Sequence, residues 1–149
     1  MAATGKLTSG IGEAKQYRYQ ARIDQQNAAL ANEQAQDSIG TTNLEAQRRF
    51  RELAQTKGGQ QAAMAANGVD LNFGSAVDVQ KDTAMIGAED ANQIYKGGYE
   101  RARGFEIGSF NHRSAAAANR AKAKGAITGA IFEAAATALG GASQALRKP

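Results

Sequence analysis

The chain has no cysteine and no tryptophan, and only one histidine and one proline in 149 residues. Without cysteine there is no disulfide framework, no thiol nucleophile and no thiolate-bound metal. The proline is Pro149, so no helix interior is interrupted by one. Large apolar side chains are also scarce: Leu, Ile, Val and Phe together number 23. That falls below the roughly 20% share at which an ordinary globular core becomes doubtful. Neither sign of charge dominates, with 18 Lys and Arg against 14 Asp and Glu, net +4. Disorder through self-repulsion is therefore not the expectation. Met1 to Gly12 lacks the basic start and apolar run of a secretory leader. No 18-residue stretch is free of charged and polar groups, so no ordinary membrane span is expected.

What the chain has in abundance is alanine, 33 residues of it, the best helix former. The expectation is all-α: long helices with thin seams, whose missing buried area partner chains supply. Residues 1–10 read as a flexible N-terminal arm, with Ser9 capping the helix that follows. Residues 11–66 read as a long Gln/Ala-rich helical region. Within it Ala14, Ala21, Ala28 and Ala35 recur every seven residues, one stripe of a helix where a neighbour can approach closely. A second, bulkier stripe runs through Tyr19, Ile23 and Leu30. At Gly40 the helix is read as continuing, with a kink, rather than breaking, and Thr42-Asn43-Leu44-Glu45 has capping-box spacing. Gly58-Gly59 is a weak point. Asn67-Gly68 reads as a helix stop, because both residues tolerate the left-handed conformation.

Residues 67–75 are read as a turn built on Gly68, Gly74 and Ser75, with Ser75 and Asp78 starting the next helix. Residues 76–124 form the second long helix. Its seam is Ala84, Ala88, Ala91, Tyr95, Gly98, Ala102 and Phe105, alternating steps of four and three. A short loop between two periodic helices predicts an antiparallel helical hairpin. Charge shifts along this helix: residues 69–95 hold five acids and one base, residues 96–124 seven bases and two acids. That order complements the helix dipole. It also leaves a basic patch, Arg113, Arg120, Lys122 and Lys124, for an anionic partner.

Residues 125–149 form an Ala/Gly-rich C-terminal packing or membrane-active helix. Ala126, Ala130, Ala134, Ala138 and Ala142 recur every four residues, beside an apolar ridge of Ile127, Ile131, Phe132 and Leu139. Such spacing suits close helix packing, in a bilayer or in a tight bundle. Glu133 is the one charge between residues 125 and 146. It opposes a solitary span and is tolerable facing water inside an oligomer.

Catalytic chemistry finds no footing. A Ser-His-Asp triad would need His112, which sits in Asn-His-Arg with no nucleophile motif nearby. One histidine and no cysteine make no metal cluster. Thr4-Gly5-Lys6 lacks the glycine spacing of a phosphate loop. Glu89 and Asp90, adjacent on a helix, point apart. No enzyme, cofactor or metal is expected.

The stretch from Gln60 to Asp82, QQAAMAANGVDLNFGSAVDVQKD, resembles a signature of the small internal virion (ejection) proteins of short-tailed phages. The matching positions are Gln61, Ala63, Ala66, Gly68, Val69, Asp70, Leu71, Gly74, Ser75, Ala76, Asp78 and Val79. The helix that follows is similar in kind, through Ala84, Gly87, Asp90, Ala91, Ile94, Tyr95 and Tyr99. The resemblance covers residues 10–125 in style and is specific around 60–95. It implies a virion protein lodged near the portal with other internal virion proteins and ejected with the genome. It further implies an oligomeric, ring-like channel or conduit at the host outer membrane or periplasm for DNA translocation. The expected partners are further copies of the chain, the other ejection proteins, the portal, genomic DNA through non-specific contact, and the host outer membrane. The alternatives are a portal-docked core or head-completion protein that never enters a membrane, and a DNA-condensing protein. The chain is short for the family, and its tail has little bulky apolar content.

Overall fold

The computed structural model describes the backbone of residues 2–145 and the side chains of residues 4–139. It is all-helical: α1 spans Ala2–Ala66 and α2 spans Ser75–Ala145, packed against each other as a helical hairpin. The chain divides into two compact units. One holds residues 1–31 and 107–149, the other residues 32–106.

In the second unit the turn is built as its chemistry requires. The Val69 N–H donates to the Met64 carbonyl at 3.0 Å and the Gly68 N–H to the Ala65 carbonyl at 3.0 Å. These are the two crossed bonds of a Schellman stop. Gly68 has φ +71° and Gly74 φ +65°, a region that costs a side chain roughly 1–2 kcal/mol. Asp70 Oδ1 accepts the Asn72 N–H at 2.9 Å inside the loop. Beyond the turn, α1 and α2 run antiparallel. Gln61 Nε2 donates to Gln80 Oε1 at 2.9 Å, and the Ser38 hydroxyl to the Gly98 carbonyl at 3.4 Å.

A comparison of two glycines tests the turn. Gly68→Val should destabilise the protein by about 1–2 kcal/mol. Gly58→Ala, on an open helix surface, should stabilise it by about 0.5–1 kcal/mol. Denaturant unfolding at one fixed chain concentration reads both. Equal effects would put the turn elsewhere.

Two local readings of the sequence are corrected, the N-terminal arm with its Ser9 cap and the Thr42 capping box. Residues 2–10 are not an arm but the first turns of α1. Gly10 is buried against Ala130 there, and Lys6 Nζ lies 2.9 Å from Glu133 Oε2. Ser9 accordingly lies inside the helix, its hydroxyl donating to the Lys6 carbonyl. Neither Gly40 nor Gly58-Gly59 interrupts α1, since glycine lowers helix stability without forbidding the geometry. Thr42 does not start a helix. Its hydroxyl donates to the Ser38 carbonyl at 2.7 Å, the back-bonding expected of a threonine inside one. Residue 1 and residues 146–149 of the outlined segments lie outside the described residues.

Candidate functional site

The helices meet through their smallest side chains. In the unit of residues 1–31 and 107–149, Ala14, Ala21 and Ala28 of α1 are 1–3% exposed. Ser109, Ala116, Ala123 and Ala130 of α2 are buried opposite them. Both series have seven-residue spacing, so each helix offers one stripe of small residues to the other. The fit is close enough that a Cβ on Gly10 would collide with Ala130 and stand 2.9 Å from the Ala126 carbonyl oxygen. The polar atoms of this seam are satisfied. Ser109 donates its hydroxyl to the Ala28 carbonyl at 2.8 Å, and Asn119 donates its amide to the Asp24 carboxylate at 2.8 Å. Asp24 is only 7% exposed. A buried charge with one geometrically matched donor favours a single register over slipped alternatives.

In the unit of residues 32–106, Ala35, Thr42 and Ala46 of α1 are buried, as are Ala102, Gly98 and Ala91 of α2. The Thr42 side chain fills the space that a Cβ on Gly98 would need, and the Leu53 side chain fills that of Gly87. Ion pairs flank the seam. Arg49 reaches Asp90 and, at 3.3 Å, Glu52. Hydrogen bonds to those two carboxylates hold its guanidinium above its ordinary pKa. Arg101 lies 3.7 Å from Glu45.

The seam residues read from the sequence take unequal places. Ala91, Gly98 and Ala102 are buried, Ala84 and Tyr95 are half-buried, and Phe105 sits at the rim, 37% exposed. Ala88 is exposed, and Gly87 holds the buried position beside it. Leu53 needs a hollow on the facing helix, and only glycine leaves one. The bulkier stripe along α1 lies outside the seam. Tyr19 and Leu30 point outward and Ile23 is half-buried, because a seam this close admits only small residues. In the tail, Ile131, Phe132 and Leu139 are exposed, Ile127 is half-buried, and Glu133 pairs with Lys6.

Bulk is therefore displaced outward. All five phenylalanines of the chain, Phe50, Phe73, Phe105, Phe110 and Phe132, are exposed. Phe73 stands 81% and Phe132 71% open. Tyr95 and Tyr99 stack at the rim with ring centroids 6.4 Å apart.

The basic patch divides. Arg113, Arg120 and Lys124 are exposed on one flank of α2. Lys122 lies on the other, its ammonium 5.9 Å from the Tyr17 ring centre. His112 is half-buried. Among the described residues no group of His, Asp and Glu is placed to hold a metal ion, and no helix is long and apolar enough to cross a membrane.

Sequence reading missed the α2 series Ser109, Ala116, Ala123 and Ala130, although its period equals the alanine period seen in α1. It also missed the pairs Asp24–Asn119, Arg49–Asp90 and Lys6–Glu133. Only the antiparallel register joins these residues, and no local motif announces them. Compared with models of known protein families, with curated protein sequences and with solved structures, the chain matches none.

Proposed function

We propose that this chain is a non-enzymatic structural protein that works as an oligomer, an internal virion protein ejected with the genome of a short-tailed phage. The observation that carries the oligomeric part is the outward placement of every phenylalanine around an alanine and glycine seam. Exposed apolar surface on this scale marks an interaction face, and a hairpin whose inside is filled by alanine has only its outside left to bury. The resemblance of residues 60–95 to the ejection proteins supplies the biological setting, with the matching positions Gly68 and Gly74 at the turn. In this reading the chain waits near the portal and, after release, lines a conduit through the host envelope.

A second reading, a ring docked at the portal that never enters a membrane, draws support from the tail. Lys6 answers Glu133, and Ala130 and Ala134 of the segment are buried. Quantifying the chain in filled particles and in particles that have released their DNA separates the two. An ejection protein falls to near zero in emptied particles. Undiminished retention would replace the first reading with the second.

A further inference from the structure

Charge is segregated along the sequence. Residues 1–31 and 107–149 carry ten Lys and Arg against three Asp and Glu, while residues 32–106 carry eight against eleven. The first unit is thus net +7 and the second net −3. The fold then sorts the first unit's charges by face.

On α1 the buried line Ala14–Ala21–Ala28 has two flanks. Glu13, Tyr17 and Gln20 lie on one, Lys15, Arg18 and Arg22 on the other. On α2 the line Ser109–Ala116–Ala123–Ala130 likewise separates Asn119, Lys122, Gly129 and Glu133 from Arg113, Arg120 and Lys124. Contacts decide which flanks share a side. Tyr17 meets Lys122. Glu13 lines one cleft with Gly129 and Glu133, and another with Asn119. The remaining flanks therefore share the opposite side, with Arg18 across from Arg120 and Lys15 across from Lys124.

All three acids of this unit lie off that side. Glu13 and Glu133 are on the opposite face, and Asp24 is in the seam. The six cations are exposed, and none has an acidic partner among the described ion pairs.

We infer that this two-row face, Lys15, Arg18, Arg22, Arg113, Arg120 and Lys124, binds the phosphate backbone of duplex DNA without reading sequence. Arg113 to Lys124 spans eleven residues of helix, about 16 Å, the rise of roughly five base pairs. Four of the six are arginines, whose planar forks suit phosphate oxygens. A helix lying on a lipid surface buries a bulky apolar face bordered by its cations. Between the rows stand Gln25 and the alanine seam, while exposed Ile11, Tyr19, Phe110 and Ile131 stand at the ends and outer edge of the face, so vesicles in the test below separate a lipid surface from the duplex. The inference extends the proposed function to a DNA-facing surface, yet it is measured on the purified chain. Retention of the chain in emptied particles would remove the ejection reading without touching it.

The test is fluorescence anisotropy of the full chain with a random-sequence DNA duplex, titrated with salt. Six phosphate contacts predict a slope of log affinity against log salt approaching about −5. Replacing Arg18, Arg22, Arg113 and Arg120 together by Gln should weaken binding by about tenfold or more and flatten the slope by about 3 to 4. The charge-matched control Arg51→Gln, Lys81→Gln, Lys96→Gln and Arg103→Gln, in the other unit, should leave both nearly unchanged. Circular dichroism confirms that both variants keep their helix. Equal losses in the two variants would overturn the proposal. So would failure of the unaltered chain to bind the duplex while it binds phosphatidylglycerol vesicles.

Discussion

Gly98→Ala should destabilise this protein, while the same change one residue earlier, Gly97→Ala, should stabilise it. The two glycines are neighbours on α2, and helix propensity alone predicts a gain of about 0.5–1 kcal/mol at each. Their surroundings set the sign. A Cβ on Gly97 meets nothing within 4 Å, whereas one on Gly98 would fall within 2.6 Å of the Thr42 Cβ. Overpacking a tight contact costs about 1–3 kcal/mol, enough to reverse the propensity gain. The backbone behind Thr42 cannot retreat easily, because the adjacent Ser38 hydroxyl is bonded to the Gly98 carbonyl. Thr42→Ala in the Gly98→Ala background should recover most of the loss, giving a coupling that Gly97→Ala lacks. Unfolding curves of the four variants at one chain concentration check this, since self-association shifts apparent stability. Equal effects at the two glycines would mean that the helices do not approach closely here.

Phe110→Ser combined with Phe132→Ser should dissolve the proposed oligomer without loosening the hairpin. Both rings project from α2 and are 68% and 71% exposed, so the folded chain gains little from them. Burying a phenylalanine at an interface contributes about 1.5–3 kcal/mol. Losing two should raise the dissociation constant of self-association about a hundredfold or more. Sedimentation velocity across a concentration series reads the shift, and circular dichroism reads the unchanged helix. A wild-type chain that stays monomeric at high concentration would end the oligomeric reading. Unchanged association in the double variant would move the contact to other exposed residues.

The sequence revealed the helices and the turn because those signals are local. Ala14, Ala21, Ala28 and Ala35 stand at period seven against glutamine, and Asn67-Gly68 carries the chemistry of a helix stop. Residue type alone favours Ala88 over Gly87 in the seam, yet Gly87 is the buried one. Which of the two is buried depends on Leu53, far away in the sequence. The bulkier stripe of Tyr19, Ile23 and Leu30 is legible as a pattern, but its place relative to the seam is set by the close approach of the helices. When backbones approach closely, the small side chains go inside. The basic patch was half legible. Arg113, Arg120 and Lys124 share a flank, but Lys122, two residues from its neighbours, turns to Tyr17, and Lys15, Arg18 and Arg22 join only through the antiparallel pairing. That pairing follows from the turn: residues about equally distant from Asp70 face each other, as Ala28 and Ser109 do.

The alanine seam also bears on how the hairpin closes. Alanine has no side-chain rotamers to freeze, so bringing the two helices together costs little side-chain entropy, and backbone ordering carries nearly all of it. The cross-helix bonds bridge steadily lengthening separations, 19 residues at Gln61–Gln80, 41 at Arg49–Asp90, 60 at Ser38–Gly98 and 95 at Asp24–Asn119. Once the pair nearest the turn has formed, each later one closes only a small additional loop. The hairpin can therefore close like a zipper from Gly68 and Gly74 and reopen from the chain ends. If the chain is ejected as proposed, that order lets it be drawn out from one end and re-form around the turn.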